Sequence, residues 1–108
     1  MKAVTKLKTF SETIRTEPLV LVDFFTEWCG PCNMMKPILE ELKSALGDRA
    51  RILKVDVEKN IKVASKYQVS GVPTFILFKK GKVVWRQSGL IPPSRFRFIF
   101  QQNGQLVE

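Results

Sequence analysis

Two cysteines, Cys29 and Cys32, sit three positions apart in "DFFTEWCGPCNMMKPILEEL", Asp23 to Leu42, and they are the chain's only thiols. Three chemistries compete for such a pair. As a structural staple it is weak, because closing so short a loop is worth roughly 2 kcal/mol, against about 4.7 for a loop of a hundred residues. As a metal half-site it is incomplete. Zinc takes four ligands, and the chain has no histidine and no further cysteine, so only a second copy sharing the ion could complete it. As a redox pair it is well placed. Pro31 suits the first turn of a helix, which sets Cys29 at a helix N-terminus. There, free backbone N–H groups and the helix dipole lower a thiol pKa and supply thiolate near neutral pH. Cys32 lies one turn further in, within bonding reach and expected to be less exposed. One sulfur is thus available to attack and the other to resolve.

The other unusual residue is Asp23, a carboxylate in the otherwise apolar run "PLVLVDFFT". By strand alternation it shares a face with Leu21 and Phe25, where an ionised carboxylate is unfavourable unless paired. Burial should therefore raise its pKa into the range of a working acid or base. The plainer alternative is a carboxylate at a strand edge, capping neighbouring amides.

The elements that must position these residues follow from periodicity. "PLVLVDFFT" reads as a strand covered on both faces. From Cys29 to Leu46 the period becomes helical through Met35, Ile38, Leu39, Leu42 and Leu46, with Gly47 as the C-terminal cap and Pro37 inside. "RILKVDV" alternates as a strand, and "NIKVASKY" reads as a short helix. "TFILFKK" and "KVVWRQS", joined through Gly81, form an antiparallel hairpin. "RFRFIF" fits a strand through Phe96, Phe98 and Phe100, and equally a helix through Phe96, Ile99 and Phe100 opened by Pro92 and Pro93. The expected class is α/β with a mixed sheet, in a single domain spanning residues 1–108.

Composition narrows the function classes. Apolar residues make up 44% and charged residues 26% of the 108 residues, as in ordinary globular domains rather than disordered chains. No apolar run reaches membrane-spanning length. The N-terminus has no continuous apolar segment of the signal-peptide kind, so a cytoplasmic location is expected. The net charge of +8 is uneven, with +2 in residues 1–54 and +6 in residues 55–108. Such a bias attracts acidic partners or nucleic acid. The basic residues are scattered, however, without the interleaved aromatics of a base-stacking face. A solvated surface is the favoured reading, and nucleic acid is not an expected partner.

With "VDFFTEWCGPC" and, further on, "GVPTF", the chain resembles the thioredoxin family, in register from about Leu19 to Gly89. The resemblance implies the thioredoxin fold, a central mixed sheet of about five strands flanked by about four helices. It implies a protein-disulfide reductase in which Cys29 attacks a substrate disulfide and Cys32 resolves the mixed disulfide. The matching Asp, Asp23, would assist deprotonation of Cys32, and Lys54 matches a lysine often found near that Asp, although a strand lysine is ordinarily just exposed. Trp28, Gly30, Pro31, Gly71, Val72, Pro73 and Gly89 would form the substrate surface. Pro73 matches the family's cis-proline, and Val72 would pair its backbone with the client's extended chain. The implied partners are disulfide-containing clients and an NADPH-dependent thioredoxin reductase. No cofactor, metal or membrane is implied, and a monomer is expected.

Phe25 stands where the family often has tryptophan, Asn33 where a basic residue is frequent, and the basic second half is unusual. These departures keep two alternatives open: a thioredoxin-fold binding module for an acidic partner, and a disulfide oxidase or isomerase with a narrow client. Oxidising members of the fold commonly carry histidine before the second cysteine. Pro31→His is therefore expected to raise the reduction potential, measured by equilibration with glutathione; an unchanged potential would contradict this role for the Gly30–Pro31 dipeptide.

Overall fold

A computed structural model describes residues 2–3 and 7–104, with side chains from Phe10 onward. In chain order the elements are β1 (Lys2–Ala3), α1 (Leu7–Thr16), β2 (Leu19–Phe25), α2 (Gly30–Leu46), a short 3-10 turn (Gly47–Arg49), β3 (Arg51–Asp56), α3 (Ile61–Lys66), β4 (Thr74–Lys79), β5 (Lys82–Ser88) and α4 (Pro93–Gln102). The five strands lie in the order β1-β3-β2-β4-β5. β2 is central, parallel to β3 on one side and antiparallel to β4 on the other. A strand in that position has both faces covered, which is why its sequence is apolar almost without interruption.

Alternation along β2 divides the core in two. Leu19 and Leu21, with Phe75 and Leu77 of β4, meet Met35, Leu39, Leu42 and Leu46 of α2 and Phe96, Ile99 and Phe100 of α4. On the opposite face Val20, Val22 and Phe24 meet Phe10 and Ile14 of α1 and Val63 of α3. "RFRFIF" is therefore helical. Phe96, Ile99 and Phe100 are buried while Phe98 stays half-exposed. A strand would have aligned all three phenylalanines and left the α2 side of the sheet partly uncovered.

The hairpin between β4 and β5 is antiparallel, as its sequence suggests. Its two-residue turn holds Lys80 and Gly81 at φ of 52° and 83°, the left-handed values that tight hairpin turns require and that glycine adopts without strain. Helix α2 runs through Pro37 to Leu46 and ends on Gly47. The 3-10 turn then drops the chain into β3.

Phe96 sits fully buried and edge-on to Phe75, with ring centroids 5.3 Å apart, and to Trp85 at 6.0 Å. Phe96→Ala should lower unfolding stability by about 3–5 kcal/mol in urea titration. A loss below about 1 kcal/mol would mean that α4 is not needed to close this face.

Candidate active site

Cys29 is itself the N-cap residue of α2, with extended backbone (φ −96°, ψ 111°), and Gly30 and Pro31 open the helix. Its Sγ accepts a hydrogen bond from the Cys32 backbone N–H at 3.0 Å. The Asn33 N–H donates to the Cys29 carbonyl at 3.2 Å. A helix-terminal N–H is thus aimed at Cys29 Sγ, a placement that favours negative charge on that sulfur. The two sulfurs are bonded in this structure, with Cα atoms 5.2 Å apart. The expected contrast in exposure is slight, at 8% for Cys29 and 6% for Cys32. Environment separates them instead: Cys29 takes the helix-terminal hydrogen bond, while Cys32 faces a cavity.

That cavity, of about 180 Å³, is bounded by Cys32, Asp23, Lys54, Lys36, Asn33 and Glu27 among others. It has room for a few waters. Asp23 is 3% exposed, and its Oδ1 has no hydrogen-bond partner among the described residues. Register explains its neighbours. On the adjacent strands Asp23 pairs with Lys54 of β3 and Phe75 of β4, so one side offers a charge and the other an aromatic ring. Burial pushes the Asp23 carboxyl from 3.8 up to about 6, and the Lys54 ammonium opposes part of that rise. Lys54 therefore does reach Asp23 electrostatically, while its Nζ lies 4.5 Å from the centre of the Phe25 ring. The edge-capping alternative for Asp23 fails, because β2 is the central strand.

The remaining expected residues fall into two groups. Gly71, Val72, Pro73 and Gly89 are joined by a local network. The Val72–Pro73 bond is cis, and the Gly89 N–H donates to the Pro73 carbonyl at 2.9 Å. The Thr74 hydroxyl is 2.6 Å from the Gly71 carbonyl oxygen and 2.7 Å from the Ser88 hydroxyl. Pairing of Thr74 with Phe24 places this loop at the same end of the sheet as the cysteines, which follow β2 directly. A Cβ at Gly30 or Gly71 would meet nothing within 4 Å, so internal packing does not require glycine there; what it leaves is room for another chain. Gly89, at φ 91°, needs its glycine for conformation. Trp28 stands apart from the cavity at 86% exposure and is not the half-buried packing residue its size suggests.

Lys36 and Glu27 line the cavity without having been marked by the sequence pattern. Lys36 lies four residues after Cys32, on the same side of a helix, a spacing that would have located it. Glu27 is held by Lys59 at 3.4 Å. Among the described residues no group of three or more metal-ligating side chains is assembled.

The family model for thioredoxin matches residues 1–101. The chain belongs to the thioredoxin family. It is 46% identical over 88 residues to thioredoxin of Bacillus subtilis, a match covering 82% of this chain and 85% of that protein. Against the chloroplastic thioredoxin Y of Oryza sativa it is 41% identical over 112 residues, a match that takes in all of this chain and 65% of the rice protein. In structure it is similar to oxidised mitochondrial thioredoxin 3 of Saccharomyces cerevisiae, with a TM-score of 0.86, 31% identity and 94% of each chain covered. The chemistry of this chain is thiol–disulfide oxidoreduction on protein substrates, and the match favours that reading over a binding module. No described helix is long and apolar enough to cross a membrane.

The raised Asp23 pKa fixes a sign. Between 3.8 and about 6 the folded state holds a proton that the unfolded chain has released, so stability falls as pH rises through that window. The loss is on the order of 3 kcal/mol at full ionisation. Asp23→Asn should therefore be more stable than the parent at pH 8, with the gap closing near pH 4 in denaturant titrations. A gap independent of pH would assign the effect to packing rather than to the proton.

Proposed function

We propose that the chain is a protein-disulfide reductase in which Cys29 is the nucleophile and Cys32 the resolving thiol. The observation that carries this reading is the asymmetry around the pair, with a helix-terminal N–H directed at Cys29 Sγ and a buried carboxylate sharing a cavity with Cys32. The Cys29 thiolate attacks one sulfur of a client disulfide, forming an intermolecular S–S bond and expelling the other client sulfur as thiolate. Asp23, acting through water in the cavity, takes the proton from Cys32. The Cys32 thiolate then attacks Cys29, expels the second client sulfur, and leaves the client dithiol and a Cys29–Cys32 disulfide, a transfer of two electrons. Lys54 tunes the Asp23 carboxyl by holding its pKa below what burial alone would give.

Trp28, Gly30, Pro31, Gly71, Val72, Pro73 and Gly89 form the client surface, and the Val72 backbone pairs with an extended client segment as an added strand. Exposure of Trp28 and the open space above Gly30 and Gly71 support this assignment. The cycle needs a source of two electrons, for which an NADPH-dependent thioredoxin reductase is the natural partner. We place the protein, as a single-domain monomer, in a reducing compartment, the cytoplasm first, where a dithiol of this kind persists reduced.

Two variants separate the cysteine roles. Cys32→Ser should accumulate a covalent complex with a disulfide-containing client, detected on non-reducing gels, and Cys29→Ser should form none. The reverse pattern would exchange the assignments. In single-turnover assays Asp23→Asn should slow resolution about a hundredfold and remove its rise through pH 6; a retained pH profile would take the proton role away from Asp23.

A further inference from the structure

The basic residues are scattered along the chain, but the topology gathers several of them. At one end of the sheet β2 and β3 begin, β4 stops and β5 starts, and α1 and α2 both finish there. Lys79, Lys80 and Lys82 belong to the β4–β5 hairpin. Arg15 of α1 lies against its turn: a Cβ on Gly81 would come 3.6 Å from the Arg15 Cα. The Lys80 N–H ties the same turn to the Pro18 carbonyl at 3.1 Å. Lys43 stands in the last turn of α2, and Arg49 and Arg51 lie in the 3-10 turn and at the start of β3. Against these cations the described residues set Glu17 and Asp48 at this end.

Two of the arginines are committed within the fold. Arg51 pairs with Glu17 at 2.9 Å, and the Arg49 guanidinium donates to the Leu46 and Ala45 carbonyls at the end of α2. Arg15, Lys43, Lys79, Lys80 and Lys82 have no ion pair among the described residues. Lys79 and Lys82 face each other across the hairpin, where like charges are mutually unfavourable. The fold thus keeps a repulsion that a neutral pair would remove. Neighbouring hairpin lysines lie within one screening length of each other, about 8 Å, so their fields add. The cysteines follow the far end of β2, about 20 Å away along the strand.

Chemistry narrows the partner. Beside the lysines, Val83 and Val84 are 50% and 43% exposed. The register shift between Leu77 and Phe78 sets a bulge opposite them, which spoils this edge for pairing with another strand. The valines are therefore apolar area without a ladder to complete. Lysines are point charges with no fixed fork, suited to a diffuse anionic surface more than to bidentate reading of a single group. Neither Trp28 nor Phe98, the large exposed aromatics among the described residues, lies on the hairpin to stack a base. We propose that this end of the molecule is an interaction surface for an anionic lipid bilayer, its lysines meeting headgroups and Val83 and Val84 entering the interface. Docked in this way, the Cys29–Cys32 pair faces away from the lipid and stays open to clients. The surface uses none of the residues assigned to disulfide exchange and stands independently of that assignment.

The test is co-sedimentation of the full chain with phosphatidylcholine vesicles containing about one-third phosphatidylglycerol. The chain should bind these at least about tenfold more tightly than vesicles of phosphatidylcholine alone, and added salt should release it. The disulfide and dithiol forms should bind equally. Lys79→Gln, Lys80→Gln and Lys82→Gln together should weaken binding about a hundredfold. Lys62→Gln, Lys66→Gln and Arg95→Gln, the same loss of charge elsewhere, should cost less than about threefold. Val83→Ser with Val84→Ser should weaken binding about fivefold and leave its salt dependence unchanged. Equal losses from the two charge-removing variants would mean attraction by net charge and overturn the surface. No binding of the parent to anionic vesicles, or tighter binding to poly-glutamate or single-stranded RNA, overturns the bilayer as its partner.

Discussion

An unpartnered carboxylate on a strand buried on both faces is the constraint around which the site is organised. Asp23 occupies a position where β2 otherwise carries leucine and phenylalanine, and the fold tolerates it by raising its pKa and setting Lys54 beside it. Substituting an apolar residue would satisfy packing better. The fold keeps this carboxyl in the cavity that Cys32 also lines, and local inconsistencies of this kind cluster at functional positions.

Helix α2 converts that constraint into a site. Its N-terminus supplies the N–H that bonds Cys29 Sγ, its inner stripe packs in one core with β2 and β4, and its Lys36 flank borders the cavity that Asp23 and Cys32 share. Because all three ride on one element, a shift of α2 would disturb both cysteines and the cavity together. Phe96 and Phe100 of α4 close the same core beside that stripe.

Much of this was legible in the sequence because it depends on local spacing. The Cys29–Pro31–Cys32 arrangement at a helix start, the apolar β2 run and the Gly81 hairpin are each specified within a few residues. What escaped depends on partners distant in the chain. "RFRFIF" satisfies two periods at once, and only the uncovered face of the sheet decides for helix. Helix α1 shows few apolar positions and is fixed by Phe10 and Ile14 meeting β2 and β4 residues. The nearness of Lys54 to Asp23 was implied by the family resemblance alone; its physical cause is strand register between segments thirty residues apart. Trp28, expected on an outer surface from the resemblance, lies outside both core clusters.

The strand order has a consequence for the protein during its own synthesis. β2, the most apolar segment, is made early, but its two edges are closed by strands that emerge much later: β3 begins at Arg51, and Leu19 finds its antiparallel partner only at Lys79. A nascent chain stalled between these points would offer a bare, apolar strand edge to any neighbour. The vulnerable interval in the life of this molecule is therefore on the ribosome, before the last third of the chain has been added.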